Sequence, residues 1–229
     1  MSVTAAPKDL WAVAGYAARL AAADGLLPQP LPALDTARYA AARTAIEGGF
    51  EVPSTTISGL MRRFLFLAAA TLAPARLYGA GTYVGFAFAW LCAGRACRPG
   101  GFEATAVDVD PAATAVAARN VAGLPPAMRP TVRTADALAD LEAGDAPIDL
   151  LFIDVDSPDG RKALYVDILA AARPRLRPGA LVLAHDPLVT LFAEDFARFH
   201  AAVEAAPELR GPLVLPLDDC GISLARVAP

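Results

Sequence analysis

Residues 77–91 read LYGAGTYVGFAFAWL, an apolar run that breaks on Gly79, Gly81 and Gly85 and then resumes with helical spacing. A buried strand that turns on glycines and feeds a helix builds a shelf for a ligand. Glycine takes positive φ and lets a ligand approach the backbone, and the helix start presents free N–H groups. The spacing Gly81-x-x-x-Gly85 is neither G-x-G-x-x-G nor G-x-x-x-x-G-K-[ST]. That argues against a dinucleotide or triphosphate and for another adenosine-bearing ligand.

Four further positions carry chemistry at the ends of β-like runs: Asp108 in AVDVDP, Asp136 in RTADAL, Asp154 in LLFIDVD, and His185-Asp186 in LVLAHDP. In a doubly wound sheet, ligands bind outside the carboxyl ends of the strands. Asp108 lies one strand–helix–strand unit after the glycine turn, where a carboxylate accepts from both hydroxyls of a ribose. Asp136 lies one strand farther, within reach of an adenine edge. Aspartate is also common as a helix cap or loop polar residue, and any one of these acids is open to that reading. Their shared edge is what favours a ligand role.

The elements that must position these groups follow from periodicity. Asp9–Ala23, Thr36–Glu47 and a third run from Thr56 or Ser58 to Leu72 have helical spacing. Gly25–Pro32, Gly48-Gly49 and Pro74 break them. After Pro74, strands are expected at Arg76–Gly79, Ala104–Asp108, Thr131–Thr134, Asp149–Asp154 and Ala180–His185. Helices are expected near Thr82–Ala93, Pro111–Val121, Asp136–Glu142, Arg161–Leu176 and Val189–Ala206. Such alternation predicts an α/β, Rossmann-like doubly wound sheet, mostly parallel. Leu213–Leu217 and Ile222–Arg226 are separated by four residues, too few for a helical crossover, so an antiparallel hairpin should close the chain. The division expected is a helical cover over 1–73 and a ligand-binding domain over 74–229.

Composition narrows the partners. The chain has 229 residues, 55% of them hydrophobic, and a formal net charge of −4. Its arginines are dispersed, so no nucleic-acid footprint is expected, and a small molecule is favoured. Phe64–Ala73 is too short to span a bilayer, and no leader is expected at the N-terminus. Cys92, Cys97 and Cys220 have no metal-ligand spacing and suit a reduced cytoplasm. His200 should be a packing or surface residue. Trp11, Trp90, Phe64, Phe66, Phe86 and Phe88 should be mostly core, with some N-terminal aromatics walling an acceptor pocket.

These motifs together resemble the class I S-adenosylmethionine-dependent methyltransferases, and more closely the small-molecule O-methyltransferases of catechol and caffeoyl-CoA type. LYGAGTYVGFA is similar to the family's first loop through Gly81, Tyr83 and Gly85. VDVDP resembles its ribose-binding segment, ADAL its adenine-side segment, FIDVDS its fourth strand end, LRPGALVLAHD its fifth, and LPLDDCGISLARV its closing hairpin. The resemblance implies a seven-stranded sheet and an S-adenosyl-L-methionine site built from Gly79, Gly81, Thr82, Tyr83, Gly85, Asp108, Val109, Asp136, Ala137 and Asp154. It also implies a small hydroxyl-bearing acceptor, O-methylation in secondary metabolism, and the homodimers common among relatives. Three positions depart from the pattern. Gly79 stands for the acid that meets the methionyl amine, Ala87 for a serine, and Ser157 for the lysine that deprotonates the acceptor. Thr55, Thr56 or Ser58 would then have to hold the methionyl end.

The resemblance implies Asp154, His185 and Asp186 as the catalytic set, with two chemistries open. Asp154 and Asp186, with His185 beside them, offer ligands to a divalent ion such as Mg²⁺, although imidazole is softer than Mg²⁺ prefers. Without metal, His185 is the general base, since imidazole titrates near neutrality. A third reading gives His185 only a hydrogen bond to a strand-end carbonyl. Function is open in the same way: methyl transfer, intramolecular cyclisation or elimination of the cofactor, or a non-catalytic binding module. Incubating the pure protein with S-adenosylmethionine alone separates these. Transfer predicts no turnover until an acceptor is added, whereas methylthioadenosine formed without acceptor would identify cyclisation or elimination.

Overall fold

The computed structural model describes residues 9–33, 35–53 and 56–229. Thr55, named above for the methionyl end, lies outside them. Strands β1 (Arg76–Ala80), β2 (Glu103–Asp108), β3 (Thr131–Thr134), β4 (Ile148–Ile153) and β5 (Leu176–His185) pair in parallel. With β6 (Leu209–Leu215) and β7 (Ile222–Val227) they form one sheet in the order β3-β2-β1-β4-β5-β7-β6. The order reverses between β1 and β4, the switch point where such sheets bind ligands. The terminal hairpin is antiparallel as expected, but the reversed strand is not the edge. Strand β7 lies between β5 and β6, antiparallel to both. The crossover after β5 sets β6 one strand width away, and the short turn before β7 returns the chain into that gap.

Among the described residues eight α-helices cover the sheet: α1 (Leu10–Ala23), α2 (Thr36–Gly49), α3 (Gly59–Leu72), α4 (Phe86–Ala96), α5 (Pro111–Ala122), α6 (Ala137–Ala143), α7 (Tyr165–Ala172) and α8 (Ala193–Glu204). Their starts follow local chemistry. Carboxylates of Asp9, Asp35, Asp110 and Asp136 and the Ser58 hydroxyl accept the first amides of α1, α2, α5, α6 and α3. Two helices start later than periodicity suggests. Helix α4 waits until Phe86 because Gly81, Tyr83 and Gly85 all have positive φ. Helix α7 waits until Tyr165 because Ser157 N donates to Arg161 O at 2.7 Å, closing a tight turn over residues 157–161.

Alternate side chains of the central strands enter opposite cores. Leu150, Phe152, Leu181 and Leu183 face α1–α5, while Leu151, Ile153, Val182 and Ala184 face α6–α8. The N-terminal helices are part of the first core: Ile46, Phe64 and Met61 share one buried cluster with Trp90, Phe152 and Leu224. The sequence break at residue 73 is thus a change of pattern within a continuous core. Cys92 is buried, Cys97 and Cys220 are half-buried, and all three are free thiols. His200 places Nε2 at 3.0 Å from Ser223 Oγ, a packing role.

The tightest contact between α3 and α4 is at Gly94, where a Cβ would lie 2.1 Å from the Phe66 carbonyl oxygen. Gly94→Ala is therefore expected to destabilise the fold by about 3 kcal/mol, since backbone on both sides must move. Gly101→Ala, with nothing within 4 Å of its Cβ, should stay within about 0.5 kcal/mol. Urea denaturation of the two variants checks this.

Candidate active site

A cavity of about 880 Å³ opens at the carboxyl ends of β1, β2, β4 and β5. Its floor is the glycine turn. At Gly81 φ is +81°, and a Cβ would sit 2.1 Å from the Asp154 carbonyl oxygen. Only glycine fits. The amides of Gly81 and Thr82 both donate to Val107 O, at 2.9 and 3.0 Å, and Asp154 N donates to Ala80 O at 2.8 Å. These bonds join the ends of β1, β2 and β4. Gly85, φ +83°, begins α4 with no side-chain cap, and Phe86, Ala87 and Phe88 line the cavity. The first amides of α4 therefore remain for a ligand. Thr82 Oγ1 is buried without a partner.

The nucleoside side is assembled as expected. Asp108 Oδ2 accepts from Tyr83 N at 2.8 Å and Oδ1 from Asp110 N at 3.0 Å. Both bonds fix the carboxylate and leave each oxygen a lone pair for a diol. Val109, Asp136 and Ala137 line the same wall, with Asp136 also capping α6 through Ala139 N at 2.9 Å. The cap reading and the ligand reading of Asp136 thus coexist. Gly79 does not line the cavity. A Cβ there would meet the Phe88 ring at 2.8 Å, so its role is to admit that ring, and this corrects its assignment as a cofactor contact. Of the proposed methionyl partners, Thr56 lines the cavity wall. Ser58 also lines it, but its hydroxyl caps α3 through Met61 N.

At the other end the structure reveals a group missed in the sequence. Lys162 is 3% exposed, and its Nζ lies 3.0 Å from Asp154 Oδ1, 2.9 Å from Asp156 Oδ1 and 2.9 Å from Asp186 Oδ2. Ser157, read as the replacement for the acceptor-side lysine, instead closes the 157–161 turn through Arg161 O, 2.9 Å from its Oγ, and through Asp159. That turn precedes the lysine and brings it back to the site. The usable signal was K-A-L-Y at 162–165, a lysine one turn before a helix that starts with a buried tyrosine. Lys162 is anchored from behind: Asp195 of α8, with a fully buried side chain, accepts from Lys162 N at 3.2 Å and pairs with Arg161 and Arg198.

Electrostatics decide between the readings of His185. Its Nδ1 lies 3.0 Å from Asp186 Oδ1 and 3.6 Å from Asp154 Oδ2. Burial alone would lower its pKa, but the Asp154 and Asp186 carboxylates outweigh burial and push it up to about 10. Burial opposes ionisation of Asp154 and Asp186 too, yet His185 and Lys162 hold both below the usual carboxylate range. Lys162 is likewise raised against its burial by Asp154, Tyr165 and Asp186. A histidine that keeps its proton near neutrality is not a resting general base, which corrects that expectation. Nor is it a donor to a carbonyl: Nδ1 meets the Asp186 carboxylate at 3.0 Å and Nε2 has no partner.

Magnesium does not fit this arrangement. Asp154 and Asp186 each give one oxygen to the Lys162 ammonium and turn the other toward the His185 ring. The remaining donor is nitrogen, whereas Mg²⁺ demands an oxygen octahedron. Asp154, His185 and Asp186 do bring ligand-type atoms within 4.8 Å of one another, but with Lys162 and His185 against the carboxylates the chain supplies its own cations. Asp186 holds its place with φ +76°.

The comparisons with known proteins agree with this architecture. Residues 79–187 match a family described as a methyltransferase domain. A catechol O-methyltransferase from Niastella koreensis is 32% identical over 156 residues, 66% of this chain and 65% of that protein. The match thus spans a little under two thirds of the curated relative's length. Among solved structures, an O-methyltransferase from Bacillus cereus in complex with SAH superposes with TM-score 0.66 at 20% identity, covering 94% of this chain and 97% of the other. TomG from Streptomyces achromogenes, an O-methyltransferase of tomaymycin synthesis in complex with SAM, gives TM-score 0.63 at 21% identity over 95% and 96%. At such identities the two structures establish the fold.

Because Asp195 holds the backbone of Lys162 from a fully buried position, Asp195→Ala should cost about 3 kcal/mol, leaving two guanidinium groups and an amide without their partner. Amide hydrogen exchange in 157–165 should quicken in parallel. Unchanged protection of that segment would contradict the anchoring role.

Proposed function

We propose, for a chain whose residues 79–187 match a family described as a methyltransferase domain, that it is an S-adenosylmethionine-dependent O-methyltransferase acting on a small hydroxyl-bearing acceptor. One observation carries the reading: a single cavity has the Gly81–Asp108 shelf at one end and the Lys162 cluster at the other. Asp108 accepts from the ribose diol, Asp136 and Ala137 border the base, and Val109 covers it. Thr82 Oγ1 and the open amides of α4 meet the methionyl end, in place of the acid that Phe88 excludes at Gly79. The bound sulfonium supplies an electrophilic methyl group and a neutral leaving sulfide.

The chain's part is to align the acceptor oxygen and stabilise its anionic form. Lys162 does the second, with the acceptor oxygen taking the place of the exposed Asp156 carboxylate at its Nζ. Held protonated, it favours an aryloxide or alkoxide beside it, so the acceptor releases its proton to solvent at lower pH than it would in water. The lining includes eight aspartates and no arginine, which disfavours a polyanionic acceptor such as an acyl-CoA thioester and favours a neutral or cationic one. Lys162 also removes one motive for the cyclisation reading, since the acceptor-side cation is present.

The wider setting belongs to the same proposal. No helix among the described residues is long and apolar enough to cross a membrane, and the three thiols are free. The proposal adds a cytoplasmic enzyme of secondary metabolism, and the dispersed arginines speak for a small molecule rather than a nucleic-acid partner. The exposed Tyr16 and Leu20 of α1 support a homodimer.

Lys162→Met is expected to lower kcat by about 10²–10³-fold while S-adenosylhomocysteine binds nearly as in the parent. Asp108→Ala should weaken that binding at least about tenfold, from the loss of charge-assisted hydrogen bonds. Calorimetry and acceptor turnover measure both, and full turnover by Lys162→Met would sink the reading.

A further inference from the structure

His185 has two faces, and the catalytic cluster uses one. Nδ1 is turned to Asp186 and Asp154, which as carboxylates only accept, so Nδ1 carries the proton. Nε2 is buried with no partner, in a residue only 8% exposed. An orphaned nitrogen in a ring this tightly oriented calls for an occupant. His185, Asp218 and Cys220 bring ligand-type atoms within 4.8 Å of one another. The last two come from the turn between β6 and β7, which the reaction proposed above leaves unused.

We propose that His185, Asp218 and Cys220 form a binding site for a borderline divalent ion of the Zn²⁺ class, distinct from the carboxylate cluster around Lys162. The donors are one imidazole, one carboxylate and one thiol that burial and the neighbouring Asp186 push up to about 12, so that it ionises only on the ion; bound, the set selects Zn²⁺ or Co²⁺ over Mg²⁺. The second shell is already built. A histidine that ligates through one nitrogen usually donates its other N–H to a carboxylate, which orients the ring and raises its basicity; Asp186 stands 3.0 Å from Nδ1 for that purpose. Asp218 is fixed as well, with Oδ1 accepting from Gly221 N at 3.0 Å and Cys220 N at 3.3 Å, and Oδ2 from Ser58 N at 3.2 Å. Oδ2 keeps a lone pair for an ion.

Tetrahedral ligands stand about 3.5 Å apart, so binding draws the three together by up to about an ångström. The ion displaces the thiol proton of Cys220 and the second proton of the His185 imidazolium, on Nε2, both released to solvent. Because Asp218 also bonds the start of α3, an ion there would tie the closing turn, β5 and the N-terminal helices together at the cavity rim. The inference does not depend on methyl transfer, since the donors and the orphaned nitrogen exist whatever the reaction.

The test is titration of the full chain, purified in chelator, with Co²⁺. A thiolate-to-cobalt charge-transfer band in the near ultraviolet should saturate at one equivalent and be displaced by Zn²⁺. The band should vanish in Cys220→Ser and persist in Asp154→Asn. No band in the parent, a band unchanged in Cys220→Ser, or a band lost in Asp154→Asn would each overturn the proposal. If Cys220→Ser does not fold, alkylation of the parent decides. One equivalent of Zn²⁺ should protect Cys220 from iodoacetamide, and labelling at the metal-free rate would refute the site. These readouts do not involve turnover, so failure here leaves the proposed reaction standing, and failure of that reaction leaves this site standing.

Discussion

The backbone at residue 81 passes so close to the carbonyl of Asp154 that no side chain fits between them. This contact at the switch point between β1 and β4 sets the geometry of the site. It forces positive φ at Gly81, turns the chain across the sheet's edge, and delays α4 until Phe86. The amides freed by that turn are tied to Val107 O, so the ends of β1, β2 and β4 move as one body. Asp108, at the end of β2, and Asp154, after β4, are thereby held at fixed separation across the cavity. A side chain at 81 would disturb both ends of the site at once.

Against this rigid shelf the other end is held by charge. Burying an ammonium costs several kcal/mol unless partners compensate, and Lys162 has three carboxylates within 3.0 Å. Two of them also meet His185, so the cluster is a chain of alternating charge whose members fix one another's protonation. This is why the histidine is a cation and a lysine remote from FIDVDS in sequence becomes the acceptor-side group. The same coupling leaves one imidazole nitrogen outside the network, buried and without a partner.

The shelf and the sheet were legible because they depend on local rules. Apolar runs at Ile148–Ile153 and Ala180–His185 read as buried strands from composition alone, and aspartates before Ala112 and Ala139 cap helices wherever they stand. The Lys162 cluster was not legible for the opposite reason. Its five members, Asp154, Asp156, Lys162, His185 and Asp186, come from two strand ends and the loop and turn after β4, and the turn at 157–161 sets the lysine five residues beyond the expected position. Gly79 misled in another way: its neighbour in space is Phe88, and no local pattern shows that a ring occupies the place of a missing acid.

The sequence by itself determined the doubly wound sheet, the glycine turn and the ring of acids at its edge, since periodicity and turn chemistry act between near neighbours. Tertiary structure alone decided which acids meet which cations, which nitrogen of His185 is free, and where β7 inserts. Those outcomes depend on distances of about 3 Å between residues far apart in the chain. Only packing across two cores sets such distances.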